Sequence, residues 1–148
     1  MTRVYVDMVG DLFHAGHVAF LRKASELGDV LVVGVHADDA VAMYKRQPIL
    51  SMQERIAVIE SCRYVREIIP DAPLVIGSDF LEEHEIDLVV HGDDLRGSDV
   101  LKRFYAEPDR LGILRLVQYT EGISTSDIIG RIVDRTDHLL VSERTDVG

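Results

Sequence analysis

Cysteine occurs once in this chain, at Cys62. A lone cysteine excludes an internal disulfide and fits a reducing, cytoplasmic setting. Basic residues are scarce: 16 lysines and arginines face 26 aspartates and glutamates, for a formal net charge of −10. That balance excludes nonspecific electrostatic binding to nucleic acid or to an anionic membrane. An anionic substrate has to meet a local basic cluster that overcomes the global field. No apolar run approaches the ~20 residues that span a bilayer. The opening MTRVYVDMVG lacks the charged-then-apolar plan of a secretory signal. Internal repeats and low-complexity segments are missing too. What is present is an ordinary globular mixture, 47% hydrophobic and 28% charged over 148 residues. That length predicts one domain, burying roughly two-thirds of the surface its unfolded chain exposes.

Hydrophobic periodicity divides the chain into alternating strands and helices. RVYVDMV (3–9) reads as a strand, and GHVAFLRKASELGD (16–29) as a helix with Phe20, Leu21, Ala24 and Leu27 on one face and Gly28 as a stop. VLVVGVH (30–36) is a continuous apolar run of the kind buried in a parallel sheet. SMQERIAVIESCRYV (51–65) opens with a capping box, Ser51 and Glu54, and keeps a helical period. EIIP (67–70), DLVVHG (87–92) and ILRLVQY (113–119) supply three more strands. DFLEEHEI (79–86) and TSDIIGRIVDR (125–135) supply two more helices. Five strands alternating with helices predict a Rossmann-like, doubly wound parallel sheet with helices on both faces. In such sheets ligands bind at the carboxyl ends of the strands, near the topological switch point. The closing TDHLLVSERTDVG (136–148) has no clear period and reads as a tail after a domain of residues 1–135.

Four stretches carry candidate chemistry. HAGH sets His14 and His17 three residues apart directly after the first strand, on one side of a first helical turn. Gly16 lets a ligand approach the backbone. A helix amino end offers free N–H groups and a positive dipole, which suit a phosphate. Two imidazoles there donate hydrogen bonds to phosphate oxygens. On position alone, two surface histidines fit equally well, and a zinc pair fits less well because no third ligand is near. YTEGISTSDII (119–129) joins Gly122 to Ser124, Thr125 and Ser126 at the start of the last helix, a second phosphate cradle or a simple N-cap. YKRQP (44–48) holds a basic pair, Lys45 and Arg46, that neutralises phosphates or lies in a solvated loop. HGDD (91–94) ends the fourth strand in two carboxylates, which hold a ligand or cap a turn. Arg55 and Arg63 fall roughly on one face of the 51–65 helix and otherwise read as solvent-facing charges.

Together, GDLFHAGHVAFLRKASELGD, LVVGVHAD, RIAVIESCRYV, LVVHGDD and TEGISTSDIIGRI resemble the cytidylyltransferase family, within the nucleotidyltransferase superfamily that carries an HxGH motif. The likeness runs from about residue 3 to about 135. HxGH followed by GISTS at this spacing is a specific pairing. The chain is most like the enzymes that make CDP-ethanolamine, CDP-choline and CDP-glycerol, and similar to a phosphonate-activating branch.

The resemblance implies that an acceptor phosphate oxygen attacks the α-phosphate of CTP, usually with Mg²⁺, so that CMP is transferred and pyrophosphate leaves. It makes His14, His17 and Lys45 the catalytic set. It assigns the nucleotide to Val9, Gly10, Asp11 and Gly16, to Arg63, Gly92 and Asp94, and to Gly122, Ile123, Ser124, Thr125 and Ser126. The acceptor falls to Asp11, Lys45, Arg46, Arg96 and Tyr119. Metal ligands from the chain are not implied, and a homodimer is. The chain departs from the family pattern at Met8 and Gly10, which replace a glycine and an aromatic. It departs again at Tyr119, which replaces an arginine near the phosphates, a place that another cation such as Arg46 or Arg96 can take. Arg66 stands where an aspartate is frequent. Leu74 replaces the aromatic that a quaternary ammonium wants. With Arg96 on the acceptor side, these changes favour an anionic phosphate or phosphonate acceptor over phosphocholine. An ATP-dependent adenylyltransferase and a catalytically silent nucleotide-binding module are the alternatives.

Overall fold

A computed structural model of the protein describes residues 1–118, 120 and 122–142, the last three as backbone alone. In chain order the elements are β1 (Arg3–Met8), α1 (Ala15–Ser25), β2 (Val30–Val35), α2 (Asp38–Ala42), α3 (Met52–Glu60) and β3 (Glu67–Pro70). They continue with α4 (Ser78–Glu83), β4 (Leu88–Gly92), a 3₁₀ turn (Asp93–Gly97), α5 (Asp99–Phe104) and α6 (Ala106–Arg110). β5 (Leu114–Val117), α7 (Thr125–Asp134) and α8 (Thr136–Ser142) close the chain.

The five strands form one parallel sheet in the order β3-β2-β1-β4-β5. This is the Rossmann-like architecture that the alternating pattern predicts. Successive side chains on a strand point to opposite faces, and both faces here are covered. Val4 and Val6 of β1, Leu31, Val33 and Val35 of β2 and Val90 of β4 pack with Leu21 and Ala24 of α1 and Ile59 of α3. Tyr5, Val32 and Val89 face the other way, toward Leu81 of α4, Leu95 of the 3₁₀ turn and Tyr105. The apolar run VLVVGVH is continuous because each of its faces has a helical layer to meet.

The chain steps outward from β1 to β2 and β3, then returns to build β4 and β5 on the other side. Connections therefore diverge where β1 and β4 lie side by side, and their carboxyl ends open a crevice.

Several boundaries differ from expectation for local reasons. Ser51 and Glu54 do form the capping box, with Ser51 N donating to Glu54 Oε1 at 2.9 Å and Glu54 N to Ser51 Oγ at 3.2 Å. The helix they start stops at Glu60, however, because Val65 N turns back to the Cys62 carbonyl and Arg66 N joins the Leu31 carbonyl of β2. Arg63 is thus beyond the helix and does not share a face with Arg55. α1 ends before Gly28, where the chain closes onto β1 through Asp29 N and the Thr2 carbonyl. The helices α5 and α6 are too short, at six and five residues, to show a period in the sequence. The presumed tail is helical over Thr136–Ser142, its start tied back by the Thr136 hydroxyl donating to the Ile132 carbonyl at 2.9 Å.

Candidate active site

A cleft of about 520 Å³ occupies the crevice beyond β1 and β4. Its walls come from the turn after β1, the start of α1, the 45–48 loop, the end of β4 and the start of α7.

His14 is the N-cap of α1, and its imidazole folds back so that Nδ1 accepts the Gly16 amide at 3.0 Å. His17 returns the favour: its Nδ1 accepts the His14 amide at 3.1 Å. This is a capping box built from two histidines. A ring nitrogen that accepts from a backbone N–H carries no proton, so each neutral ring keeps its proton on Nε2. The rings lie side by side, 3.9 Å between centroids. His14 Nε2 stands 3.4 Å from Thr125 Oγ1, whose own proton goes to the Asp11 carbonyl at 2.9 Å. The Thr125 oxygen is thereby left as an acceptor for the Nε2 proton. Burial lowers the pKa of both histidines. For His17 it falls to about 4, with His14 and Lys45 adding to the desolvation and Asp11 opposing it. For His14 desolvation leads and Asp127 opposes. Both rings are neutral donors near pH 7. Gly16 is required by this geometry, since a Cβ there would sit 2.8 Å from His14 Cε1 and 3.2 Å from Ile123 Cγ2.

Beside the histidines is the amino end of α7. Ser124 caps it, its Oγ accepting the Asp127 amide at 3.0 Å, and Thr125 and Ser126 form its first turn. Ile123, Ser124, Thr125 and Ser126 all line the cleft. Across from them the Arg46 guanidinium donates to Ser126 Oγ at 3.2 Å. Lys45 also reaches the cleft, its ammonium 5.5 Å from the Tyr44 ring centroid. Desolvation lowers its pKa, against the pull of Asp94 and Asp7.

Asp11 lines the cleft, but both its carboxylate oxygens are engaged, accepting the Ile49 amide at 2.8 Å and the Leu50 amide at 2.9 Å. It pins the loop that carries Lys45 and Arg46. Val9, Gly16, Gly92 and Asp94 line the cleft as expected, and Asp94 Oδ1 lies 3.5 Å from His91 Nδ1. Gly10, Gly122, Arg63 and Arg96 do not line it. Gly10 adopts a φ of +68°, which disfavours a side chain, and a Cβ there would sit 2.5 Å from Ile59 Cδ1. Arg63 is exposed beside a shallow apolar depression formed by Phe13, Val18, Val58 and Tyr64. Arg96 is exposed on the 3₁₀ turn. Tyr119 lies outside the described residues.

The sequence reading missed the floor. Asp7 is 6% exposed and lines the cleft. The Tyr105 hydroxyl donates to its Oδ1, and His36 Nε2 lies 3.2 Å from its Oδ2. With Nε2 donating to that carboxylate, His36 Nδ1 accepts the Tyr44 hydroxyl, 3.3 Å away. Burial, then the Asp7 charge, raises the Tyr44 pKa to about 12, and Tyr105 is held up the same way. Both phenols remain donors. The available signal was a carboxylate inside the apolar strand RVYVDMV, an expensive placement unless partnered. Arg55 was missed as well. It is fully buried, and its guanidinium joins the Leu50 carbonyl at 3.2 Å, the Val9 carbonyl at 2.7 Å and Asp38 at 2.6 Å. It ties three segments around the cleft and is not a solvated charge.

Fold and cleft together define a Rossmann-like α/β domain whose polar groups gather at the switch point of the sheet. The chain belongs to the cytidylyltransferase-like family, whose sequence model matches residues 10–131. It is 40% identical over 138 residues to the ethanolamine-phosphate cytidylyltransferase of Dictyostelium discoideum, a match covering 93% of this chain and 38% of that one. It is 41% identical over 133 residues to choline-phosphate cytidylyltransferase A of Homo sapiens, covering 88% of this chain and 36% of that one. The chain spans little more than a third of the length of these curated relatives. Among solved structures, the lipopolysaccharide core biosynthesis protein from Thermoplasma volcanium GSS1 matches with a TM-score of 0.65 at 27% identity, covering 81% of this chain and 99% of that chain.

Proposed function

We propose that this chain is a CTP-dependent cytidylyltransferase that transfers CMP to phosphoethanolamine and releases pyrophosphate. The observation that carries the reading is the pair of neutral imidazoles, each held by a backbone amide at Nδ1, beside the first turn of α7, where Thr125 Oγ1 stands 3.4 Å from His14 Nε2. A phosphate oxygen of the acceptor attacks the α-phosphorus of CTP. The bond from that phosphorus to the oxygen bridging the α- and β-phosphates breaks, and the electron pair leaves with pyrophosphate. Charge grows on the non-bridging α-oxygens and on the leaving group. The Nε2–H groups of His14 and His17 donate to the former, while the α7 amides and hydroxyls hold the latter. Lys45 neutralises phosphate on the acceptor side, near Asp94 and Asp7. Catalysis by this arrangement is positioning and charge stabilisation, without a covalent intermediate.

Magnesium enters this reading as the counter-ion of CTP. Among the described residues no three His, Cys, Asp or Glu side chains cluster to hold a metal ion, and the oxygens of Asp11 are taken by amides. No step above passes through the ion.

The choice of acceptor rests on two supports. The anionic acceptor favoured by the sequence depended on Arg96, which is exposed and outside the cleft. The relatives are named for ethanolamine phosphate and choline phosphate. Between these two, the Asp7 carboxylate on the floor suits an ammonium. Among the described lining residues Phe20 is the lone phenyl or phenol ring, too little for a cage around a trimethylammonium. Steady-state pyrophosphate release with CTP or ATP, across phosphoethanolamine, phosphocholine, glycerol 3-phosphate and small phosphonates, tests the reading. CTP-dependent release favouring phosphoethanolamine is expected. Preference for ATP, or for an anionic acceptor, overturns the nucleotide or the acceptor part respectively.

A further inference from the structure

We propose that Arg46 is the clamp for the β- and γ-phosphates of the nucleotide, which decides between the acceptor side and the phosphate side, the two places the sequence pattern left open for it. The inference rests on the cytidylyltransferase reading. Its first support is place. Arg46 donates to Ser126 Oγ at 3.2 Å, in the first turn of the ten-residue helix α7. Its neighbour Lys45 lines the same cleft.

The second support is charge. The chain carries a formal net charge of −10, and Asp7, Asp11 and Asp94 all line the cleft. His14 and His17 are neutral. Lys45 and Arg46 are then the two fixed cations among the described lining residues. A triphosphate entering this field needs both, and Arg46 is hydrogen-bonded to the helix end that would receive a phosphate tail.

The third support is preorganisation. The loop bearing Arg46 is fixed on both sides, by Lys45 N on the Val41 carbonyl at 2.9 Å and by the Asp11 carboxylate on the Ile49 and Leu50 amides. A guanidinium presents five N–H donors in a planar fork, and Ser126 occupies one nitrogen. Among the described residues its other edges have no hydrogen-bond partner, and they can grip phosphate oxygens in pairs as a lysine cannot.

The test is calorimetric binding of CTP and of CMP to the wild type, Arg46→Gln and Arg46→Lys. Arg46 is exposed, so melting temperatures should agree among the three. Wild type is expected to bind CTP more tightly than CMP. Arg46→Gln should lose roughly tenfold to a hundredfold in CTP affinity, the range for a charge-assisted hydrogen bond, with CMP unchanged within about twofold. Arg46→Lys should fall between, and pyrophosphate should weaken as a competitor in parallel with CTP. Equal loss of CTP and CMP, or no loss, overturns the assignment, as does a wild type that does not distinguish the two. A wild type that binds CTP over CMP yet transfers to no acceptor refutes the transferase reading, and the CTP-to-CMP ratio of the variants still decides the role of Arg46.

Discussion

Replacing His14 by asparagine separates the two jobs of its ring. Nδ1 caps α1 by accepting the Gly16 amide at 3.0 Å, and Nε2 presents a proton toward the cleft, 3.4 Å from Thr125 Oγ1. The asparagine Oδ1 falls close to where Nδ1 stands and is itself a preferred N-cap. The cap should survive, with stability within about 0.5 kcal/mol of wild type. The donor is lost outright. Removing one preorganised donor to a developing oxyanion costs about 2.7–4 kcal/mol, or ~10²–10³ in kcat. His14→Ala loses donor and cap together, adding about 1 kcal/mol of destabilisation. For a domain of this size that is a fall of roughly 2–4 °C in Tm. The assay is paired thermal melting and pyrophosphate release on the same preparations. An asparagine variant that melts like wild type but turns over at least a hundredfold more slowly supports the donor role. If it keeps kcat within about threefold while alanine does not, the ring is only a cap and the argument fails.

Three further outcomes follow from neighbouring groups. His17 stays neutral in the folded protein down to about pH 4, while an unfolded histidine takes its proton near pH ~6.5. The unfolded chain therefore binds more protons in that window, and stability should fall as pH drops from ~6.5 toward ~4, by on the order of 2 kcal/mol. Urea titrations at several pH values check this, and a slope unchanged in His17→Asn contradicts it. Asp7→Asn should raise the KM for phosphoethanolamine at least tenfold and leave the KM for CTP within about twofold; equal effects on both substrates would remove Asp7 from the acceptor subsite. Arg55→Ala should cost on the order of 3 kcal/mol in urea unfolding, since it empties a buried site and releases the Val9 and Leu50 carbonyls and Asp38. A loss below about 1 kcal/mol would mean that water replaces the guanidinium.

What was legible in the sequence was what local pattern controls. The order of strands and helices came from apolar runs that need only a period and a boundary. The Ser51 and Glu54 capping box is a contact within four residues, and it forms as read. HAGH announced a helix start with both rings on one side, and the rings are 3.9 Å apart. Long-range partnerships were not legible. Asp7 is tolerable inside β1 only because Tyr105 arrives from 98 residues away and His36 from just beyond β2. Arg55 looked like a surface charge because Val9 and Asp38, which satisfy it, are brought by tertiary folding. Asp11 lines the cleft as expected, but its bonds to backbone amides 38 and 39 residues away were not legible, because side-chain patterns do not reveal them. Arg63 and Arg96 were placed by motif alone, and the turns after α3 and β4 carry them out of the cleft.

The most direct measurement is ³¹P NMR of CTP and phosphoethanolamine incubated with the protein and Mg²⁺. The account predicts loss of the triphosphate signals and equal growth of pyrophosphate and of the paired diphosphate-diester signals of CDP-ethanolamine. Conversion of CTP to free CMP without the diester, or no change in the presence of demonstrated CTP binding, contradicts it.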